Sequence, residues 1–287
     1  MKLALRNAVY EFPARPLVMG IVNLSVDSFS GDGIEDVAAA VDKARGLIAD
    51  GADIIDIGSE SARTNRAPIS EDEEAAQLVR FVERWQEIRN PKSEIRNPLL
   101  SINTWRPGVV RRVLPCGGDL LNDIGGLPTD ENARLCAEHG AALLIMHTIG
   151  QPKIAHTHVG YDDIMTQLDE FFAEKMALAE RAGVAREAII LDPGIDFAKQ
   201  RADNLRIYRE LDRLHKFERP ILLPVSRKTV IGEVLGLPNA ADRDAGTVAC
   251  IVQGMLRRAQ IFRVHNVRAA VQTVRTIAAM EGDRSPA

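Results

Sequence analysis

The sequence predicts an α/β protein with the (β/α)8 TIM barrel fold in a single domain. Short runs rich in Ile, Val and Leu alternate with longer segments of helical period, as expected of strand and helix units that feed a parallel sheet. There are eight such runs, and a chain of 287 residues is long enough for a barrel of about 250 residues. An open, doubly wound sheet is the alternative that strand counting leaves open.

Each apolar run predicts one strand. The predicted strands are Leu17 to Asn23, Asp53 to Gly58, Leu99 to Thr104, Leu120 to Ile124, Ala142 to His147, Ile189 to Pro193, Ile221 to Ser226 and Ile261 to His265. Between them, apolar residues repeat with helical spacing, as Val37, Val41 and Ala44 do after the first strand. The predicted helices are Ile34 to Asp50, Glu71 to Glu87, Pro107 to Val113, Ala133 to His139, Asp162 to Ala182, Asn204 to Lys216, Arg243 to Arg258 and Ala269 to Met280.

One segment, Glu87 to Pro98, interrupts this alternation. It contains the sequence Glu-Ile-Arg-Asn-Pro twice and has few apolar side chains to bury. We expect a solvated insertion at residues 87–98, on the barrel face opposite the usual active site. A partner-binding loop is the alternative.

Composition excludes several classes of function. With 36 basic and 40 acidic side chains and only 5% aromatic residues, a nucleic-acid surface is not expected. No apolar run approaches the roughly 20 residues of a membrane-spanning helix, and the first residues do not resemble a secretion signal. The three cysteines have no metal-binding spacing and predict neither a disulfide framework nor a zinc site. We therefore expect a cytoplasmic enzyme that acts on small molecules, without nucleic-acid or membrane partners.

Polar side chains are concentrated at the carboxyl ends of the predicted strands, where barrel enzymes build their active sites. Each alone is compatible with a structural role, such as a hydrogen-bonded core imidazole, but the set indicates a binding site. The set is Asn23, Asp56, Asn103, Asn122, Asp123, His147, Asp192, Ser226, Arg227, Lys228, Arg263 and His265.

Some of these residues suit an anion, and others suit a planar heterocycle. Backbone amides, a hydroxyl and an ammonium group converge in the segment 226–229, which follows the seventh strand and opens a helix. Arg263 and His265 lie on one side of the eighth strand. Because loops after the last two strands hold a phosphate in many barrels, we expect a phosphate-bearing substrate. Asp192 can accept two adjacent N–H donors, and Asn122 can both donate and accept.

Seven stretches, taken in order, resemble the dihydropteroate synthase family of the pterin-binding barrel superfamily. They are Met19 to Ser30, Gly51 to Arg63, Asn122 to Gly126, Met146 to His147, Leu191 to Lys199, Ser226 to Lys228 and Arg263 to His265. The resemblance implies a transferase of folate biosynthesis. Such an enzyme condenses 6-hydroxymethyl-7,8-dihydropterin diphosphate with p-aminobenzoate and releases pyrophosphate. The resemblance also implies a Mg²⁺ cofactor and a homodimer.

The resemblance also implies a role for individual residues. Catalysis is expected to involve Asn103, Lys228, Arg263 and His265. The pterin would contact Asn103, Asn122, Met146, Asp192, Phe197, Lys228 and Arg263. The diphosphate would contact Asn23, Arg263 and His265, with Asn23 acting through the metal ion. The p-aminobenzoate pocket and the closing loops would use Phe29, Ala62, Arg63, Phe197, Lys228 and Thr229, and Lys228 with the Thr229 amide would receive the carboxylate.

The sequence departs from the family pattern at a few positions. Asn103 stands where the family has Asp, which removes a negative charge, and Ala62 to Asn65 replaces Thr-Arg-Pro-Gly. Val26 replaces Pro, and Asn266 replaces Asp. These changes leave open a diverged relative that binds a pterin diphosphate but is impaired or uses another nucleophile. A pterin-dependent methyltransferase and a non-catalytic binding protein are further alternatives, which the anion-binding residues disfavour.

Overall fold

The computed structural model describes residues 1–6, 8–12, 15–24, 37–60, 68–88, 98–150, 152–154 and 159–282. Its strands are β1 (Lys2–Leu5), β2 (Ala8–Glu11), β3 (Leu17–Asn23), β4 (Ile54–Gly58), β5 (Leu99–Asn103), β6 (Leu120–Asp123), β7 (Ala142–Met146), β8 (Ile189–Asp192), β9 (Leu222–Pro224) and β10 (Ile261–Val264). Its helices are α1 (Val37–Ala49), α2 (Glu71–Ile88), α3 (Pro107–Val113), α4 (Glu131–His139), α5 (Ile164–Arg181), α6 (Arg201–Glu210), α7 (Thr229–Leu235), α8 (Asp244–Leu256) and α9 (Val267–Met280).

Eight parallel strands, β3 to β10, form a closed barrel. They are hydrogen-bonded in the order β8-β7-β6-β5-β4-β3-β10-β9. A further parallel bridge joins Leu191 of β8 to Ile221, immediately before β9, and closes the sheet on itself. The predicted TIM barrel is therefore confirmed, and the open sheet is excluded.

The strand residues are buried because helices cover the outside of the sheet while strand side chains fill its interior. Every residue of β4, β5, β6, β7 and β8 is buried. Around them, each helix buries one face, as α1 does with Ala40, Val41, Ala44 and Leu47. Polar residues that follow this apolar strand pattern are consequently held at the carboxyl ends of the strands.

The opposite end of the barrel is covered by a hairpin that the sequence pattern did not predict. Strands β1 and β2 pair antiparallel, and Leu3 is buried in the core. Arg219 fixes β1 there, because its guanidinium donates to the backbone oxygens of Lys2 and Glu187. Strands of four residues show too little alternation to be recognised in the sequence.

Several predicted boundaries differ from those observed. The predicted helix from Asn204 to Lys216 is α6, which begins at Arg201, followed by a 3-10 helix over Leu211–Phe217. It begins early because Gln200 and Asp203 form a capping box. The short helix α7 begins at Thr229, where the segment 226–229 was predicted to open a helix, but its extent was not predicted. Of the insertion predicted at 87–98, Glu87 belongs to α2 and residues 89–97 lie outside the described part of the chain.

The described residues contain neither a membrane-spanning helix nor a cluster of metal-binding side chains. Among the helices described, none has the length and apolar composition of a membrane-spanning segment. Within the same residues, no group of three or more His, Cys, Asp or Glu side chains has an arrangement that holds a metal ion. Cys116, Cys136 and Cys250 are free thiols.

Candidate active site

A buried carboxylate, Asp56 of β4, is the centre of a hydrogen-bond cluster at the barrel mouth. Its oxygens accept from Ser101 Oγ at 2.6 Å and from Arg263 Nε at 2.7 Å. They also accept from Asn103 Nδ2 at 3.1 Å and from Asn122 Nδ2 at 3.2 and 3.3 Å. The strand register brings these side chains together, because Asp56 lies opposite Ser101 in the sheet and Asn103 lies opposite Asn122. The guanidinium of Arg263 compensates the buried negative charge.

This cluster fixes the orientation of the two side-chain amides. Since both Nδ2 groups donate to Asp56, the Oδ1 atoms of Asn103 and Asn122 are turned away from it. Both Oδ1 atoms are buried, and neither has a hydrogen-bond partner among the described residues. A buried acceptor without a donor costs about 1–3 kcal/mol. The site therefore presents two acceptors that a ligand with N–H groups would satisfy.

Asp192, at the end of β8, adds a carboxylate to the same mouth. It is buried, and its Oδ1 accepts from the Gly194 amide at 2.7 Å. Burial raises the pKa of Asp192 to about 6, although the Gly194 hydrogen bond and the charges of Lys228, Lys199 and Arg263 oppose the shift. Asp192 is therefore an acceptor whose ionisation falls near neutral pH.

His147 and Lys199 support the loop that follows β8. Lys199 Nζ lies 2.7 Å from His147 Nδ1 and donates to the backbone oxygens of His147 and Phe197. Burial and the neighbouring ammonium lower the pKa of His147 to about 2, and burial lowers the pKa of Lys199 to about 7. His147 is consequently neutral, with Nδ1 accepting from the ammonium. Its ring packs on Phe171, and its Nε2 is buried without a hydrogen-bond partner among the described residues.

Lys228 lies at the start of α7, beside Phe197. Its Nζ donates to the backbone oxygen of Ile195 at 2.8 Å and lies 5.1 Å from the centre of the Phe197 ring. The amide of the next residue, Thr229, donates to the carboxylate of Asp196. The predicted ammonium, aromatic ring and amide are thus brought together, and an internal carboxylate already lies on the amide.

Three polar side chains of the predicted set, those of Arg227, Asp123 and Ser226, have hydrogen-bond partners within the protein. Arg227 forms a two-point ion pair with Asp244, and Asp123 accepts from the Gly125 amide and from Asn132. The backbone amide of His265 donates to Ser226 Oγ at 3.1 Å, which holds the end of β10 against the loop after β9. Within the segment 226–229, the Arg227 guanidinium is therefore engaged by a carboxylate.

The structure also accounts for Asn266. Its Oδ1 accepts from the Ala269 amide and caps α9, while its Nδ2 donates to Asp244 at 3.1 Å. An aspartate would perform the first task but would place a second carboxylate against Asp244. The amide fits both partners.

The other predicted residues have these positions. Asn23 is half-buried at the end of β3, Met146 is buried at the end of β7, and His265 is half-buried just beyond β10. Phe29, Ala62 and Arg63, which were predicted in the closing loops, lie outside the described residues. Glu60, immediately before residues 61–67, is buried and pairs with Arg106 and with Lys153.

The sequence predicted Asp56 at the mouth without a function, and it predicted no role for Asp196. A carboxylate inside an apolar strand is a signal for Asp56, because an unpaired buried charge is not tolerated. For Asp196 there is no local signal, since its partners lie 33 and 34 residues further along the chain.

The chain matches a known family and its members over most of its length. The family described as pterin binding enzyme matches residues 19–265. The dihydropteroate synthase of Escherichia coli K12 is 34% identical, over 93% of this chain and 92% of the relative. A folate synthesis bifunctional protein of Arabidopsis thaliana is 35% identical over 95% of this chain, which spans 58% of that longer protein.

Structural comparison gives the same result. The crystal structure of the Yersinia pestis dihydropteroate synthase, solved in complex with a sulfonamide drug, superimposes with a TM-score of 0.89. It is 34% identical, and the match covers 98% of this chain and 99% of that one. The barrel, the polar mouth and these similarities agree: the chain belongs to the dihydropteroate synthase family of pterin binding enzymes.

Proposed function

We propose that this chain is a dihydropteroate synthase. It would join the amine of p-aminobenzoate to the methylene carbon of 6-hydroxymethyl-7,8-dihydropterin diphosphate and release pyrophosphate. The Asp56 cluster carries this proposal, because it leaves two buried acceptors in a mouth that also contains Asp192, Arg263 and Lys228. Family membership and the named relatives support it.

The pterin ring would bind through its N–H groups. A carboxylate accepts a pair of adjacent N–H donors, which is the role we give to Asp192, while the Oδ1 atoms of Asn103 and Asn122 accept from the ring edge. Met146 and Phe197 would form apolar walls, and Lys228 would approach the ring from the Phe197 side. The ring thereby satisfies acceptors that are otherwise buried without donors.

The diphosphate would bind to Arg263, His265 and Asn23. The hydrogen bond of Arg263 to Asp56 uses Nε, so the terminal nitrogens of the guanidinium have donors for phosphate oxygens. Asn23 offers one hard oxygen ligand, and no all-protein metal cage is found within the described residues. This donor set fits a Mg²⁺ ion that is held mainly by diphosphate oxygens and water. The metal would neutralise charge on the leaving group.

Catalysis would rest on positioning and electrostatics. The amine nitrogen forms a bond to the methylene carbon while the bond from that carbon to the diphosphate oxygen breaks, and the nitrogen loses a proton to the leaving group or to water. Negative charge grows on the diphosphate, where Arg263 and His265 stabilise it. If bond cleavage precedes attack, positive charge grows on the pterin. Asp56 is paired with Arg263, so its negative charge is already compensated. Asn103 is a neutral amide and therefore contributes only a dipole to the positively charged pterin.

Product formation tests the proposed function. The protein is incubated with both substrates and Mg²⁺, and 7,8-dihydropteroate is identified by mass spectrometry while pyrophosphate is measured in parallel. We expect equal amounts of the two products. Binding of the pterin diphosphate without either product would instead support the diverged relative with another nucleophile.

Asn103→Asp is expected to raise kcat and lower stability. A carboxylate facing the pterin stabilises the growing positive charge. Replacing a neutral contact by a charged one raises the rate roughly tenfold. The same change replaces the donor to Asp56 by a second carboxylate, which destabilises the cluster by about 1–2 kcal/mol. Steady-state turnover and urea unfolding measure the two effects. Unchanged turnover together with unchanged stability would show that residue 103 does not act on the pterin in this way.

Pterin binding is expected to weaken below pH 6. The pKa of Asp192 is about 6, and only its ionised form accepts two N–H donors. Affinity should therefore be constant above this pKa and fall by about tenfold for each pH unit below it. The probe is 6-hydroxymethylpterin without diphosphate, whose phosphate groups would otherwise titrate in the same range. Calorimetry between pH 5 and 8 gives the profile, and Asp192→Asn should bind weakly at every pH. A sloped profile in that variant would assign the titration to another group.

We also propose that the chain forms a homodimer through the side of the barrel made by α6, α7 and α8, which contact one another. This side exposes Leu205, Val234, Leu235 and Leu256. Val234→Glu should convert the dimer to a monomer in light scattering. A monomeric parent chain would refute this arrangement.

The cytoplasmic location expected from the sequence is part of the same proposal, and three free thiols fit a reducing compartment.

A further inference from the structure

The carboxylate of Asp196 lies on the two backbone amides that follow Lys228. Thr229 N donates to Asp196 Oδ2 at 2.5 Å, and Val230 N donates to Asp196 Oδ1 at 3.2 Å. Asp196 belongs to the loop between β8 and α6, so this contact ties that loop to the segment after β9. Both amides therefore already have a carboxylate as acceptor.

The backbone holds Asp196 in place. Its φ is 69°, a left-handed conformation that Asp tolerates better than most residues other than Gly. Its own amide donates to Asn204 Oδ1 at 2.9 Å, and the preceding carbonyl, that of Ile195, accepts from Lys228 Nζ. Residues 195 and 196 thus engage the ammonium and both amides from the same loop.

Lys228 and the Thr229 amide are the donors that the family resemblance assigns to the carboxylate of p-aminobenzoate, the amine substrate of the proposed function. An incoming carboxylate meets the negative charge of Asp196 and must share or displace its hydrogen bonds to Thr229 and Val230. An aryl amine with a neutral group at the same ring position meets no such repulsion. Asp196 therefore acts on one part of the amine substrate and on neither the pterin nor the diphosphate.

We propose that Asp196 determines specificity for the amine substrate, by disfavouring a carboxylate and favouring aryl amines with a neutral substituent. This inference rests on the proposed function, with the substrate carboxylate placed at Lys228 and the Thr229 amide as the family resemblance implies. It assigns to Asp196 a positioning role on the donors, without contact to the reacting atoms. The quantity that reports it is the preference for p-aminobenzoate over its neutral amide, 4-aminobenzamide.

Two variants and one matched control test it. Asp196→Asn removes the charge but retains an oxygen acceptor and a residue that tolerates the left-handed backbone. Asp196→Gly also frees the amides and suits the positive φ. Glu233→Gln removes the same charge from the exposed side of α7, away from both amides. The ratio of kcat/KM for acid over amide should rise about tenfold or more in both Asp196 variants and stay unchanged in the control. An unchanged ratio in both variants overturns the inference.

A binding measurement separates this inference from the proposed function. Each amine is titrated calorimetrically into the parent chain and the variants, saturated with pyrophosphate and Mg²⁺. If neither the parent chain nor any variant forms product, the synthase proposal fails. The acid-to-amide ratio of the dissociation constants still tests the role of Asp196. A ratio that shifts toward the acid in the Asp196 variants supports the inference. A ratio that does not shift, or no binding of either amine to any variant, overturns it.

Discussion

Asp56→Asn is expected to lose affinity for the pterin diphosphate by roughly a hundredfold or more, because Asn103 and Asn122 lose the carboxylate that orients their oxygens toward the ring. The carboxylate is the shared acceptor for Asn103, Asn122 and Arg263. An amide in its place offers one oxygen and adds a donor that faces other donors. The two asparagines then lose the orientation that turns their oxygens into the site. Equilibrium titration with the pterin diphosphate measures the effect.

The chain offers a matched control for this variant in Asp53. It immediately precedes β4 and is also a largely buried aspartate, paired with Arg15 through bonds of 2.7 and 2.9 Å. It lies at the opposite end of the same strand, away from the barrel mouth. Asp53→Asn should lower stability but leave pterin affinity within about twofold of the parent, as expected for distant, independent sites. Equal losses of affinity in the two variants would show that Asp56 acts only through folding.

Arg263→Ala is expected to abolish measurable binding of the diphosphate substrate, a loss of roughly a hundredfold or more. The guanidinium has two functions in this account, as the cation for phosphate oxygens and as the partner of Asp56. Its removal therefore deletes an anion contact and leaves a buried carboxylate without its countercharge. Arg263→Lys restores the charge but not the fixed geometry of the guanidinium, and it should recover only part of the affinity.

The control for Arg263 is Arg227→Ala. That arginine lies in the segment 226–229, which was predicted to bind an anion, but its guanidinium is held by Asp244. Its removal should change thermal stability more than substrate affinity. Retained binding in Arg263→Ala, or a larger loss in Arg227→Ala, would contradict the placement of the diphosphate site.

The barrel and the position of the mouth could be predicted from the sequence because both depend on local pattern. A buried parallel strand is a continuous apolar run, and a polar residue at its end must lie at the mouth. Asn103, Asn122, Asp192, Lys228 and Arg263 were identified in this way. The strand order follows from connecting successive strand and helix units with one handedness.

The contacts within the mouth could not be predicted, because they join residues that are distant in the chain. Asp56 and Arg263 are 207 residues apart, and which donors reach Asp56 depends on the sheet register. The ion pair of Arg227 with Asp244 could not be predicted for the same reason, because the two residues are distant in the chain. Its neighbours in sequence suggested an anion site, but its positive φ of 53° and its contact with Asp244 engage it elsewhere. For the N-terminal hairpin, no periodicity was available in strands of four residues.

A crystal structure of the parent chain with 6-hydroxymethyl-7,8-dihydropterin diphosphate and Mg²⁺ tests the central claim most directly. We expect ring N–H groups within hydrogen-bond distance of Asp192 and of the Oδ1 atoms of Asn103 and Asn122, with Asp56 still holding both Nδ2 groups. The diphosphate should contact Arg263. A pterin ring bound outside this cluster, or a diphosphate that does not contact Arg263, would contradict it.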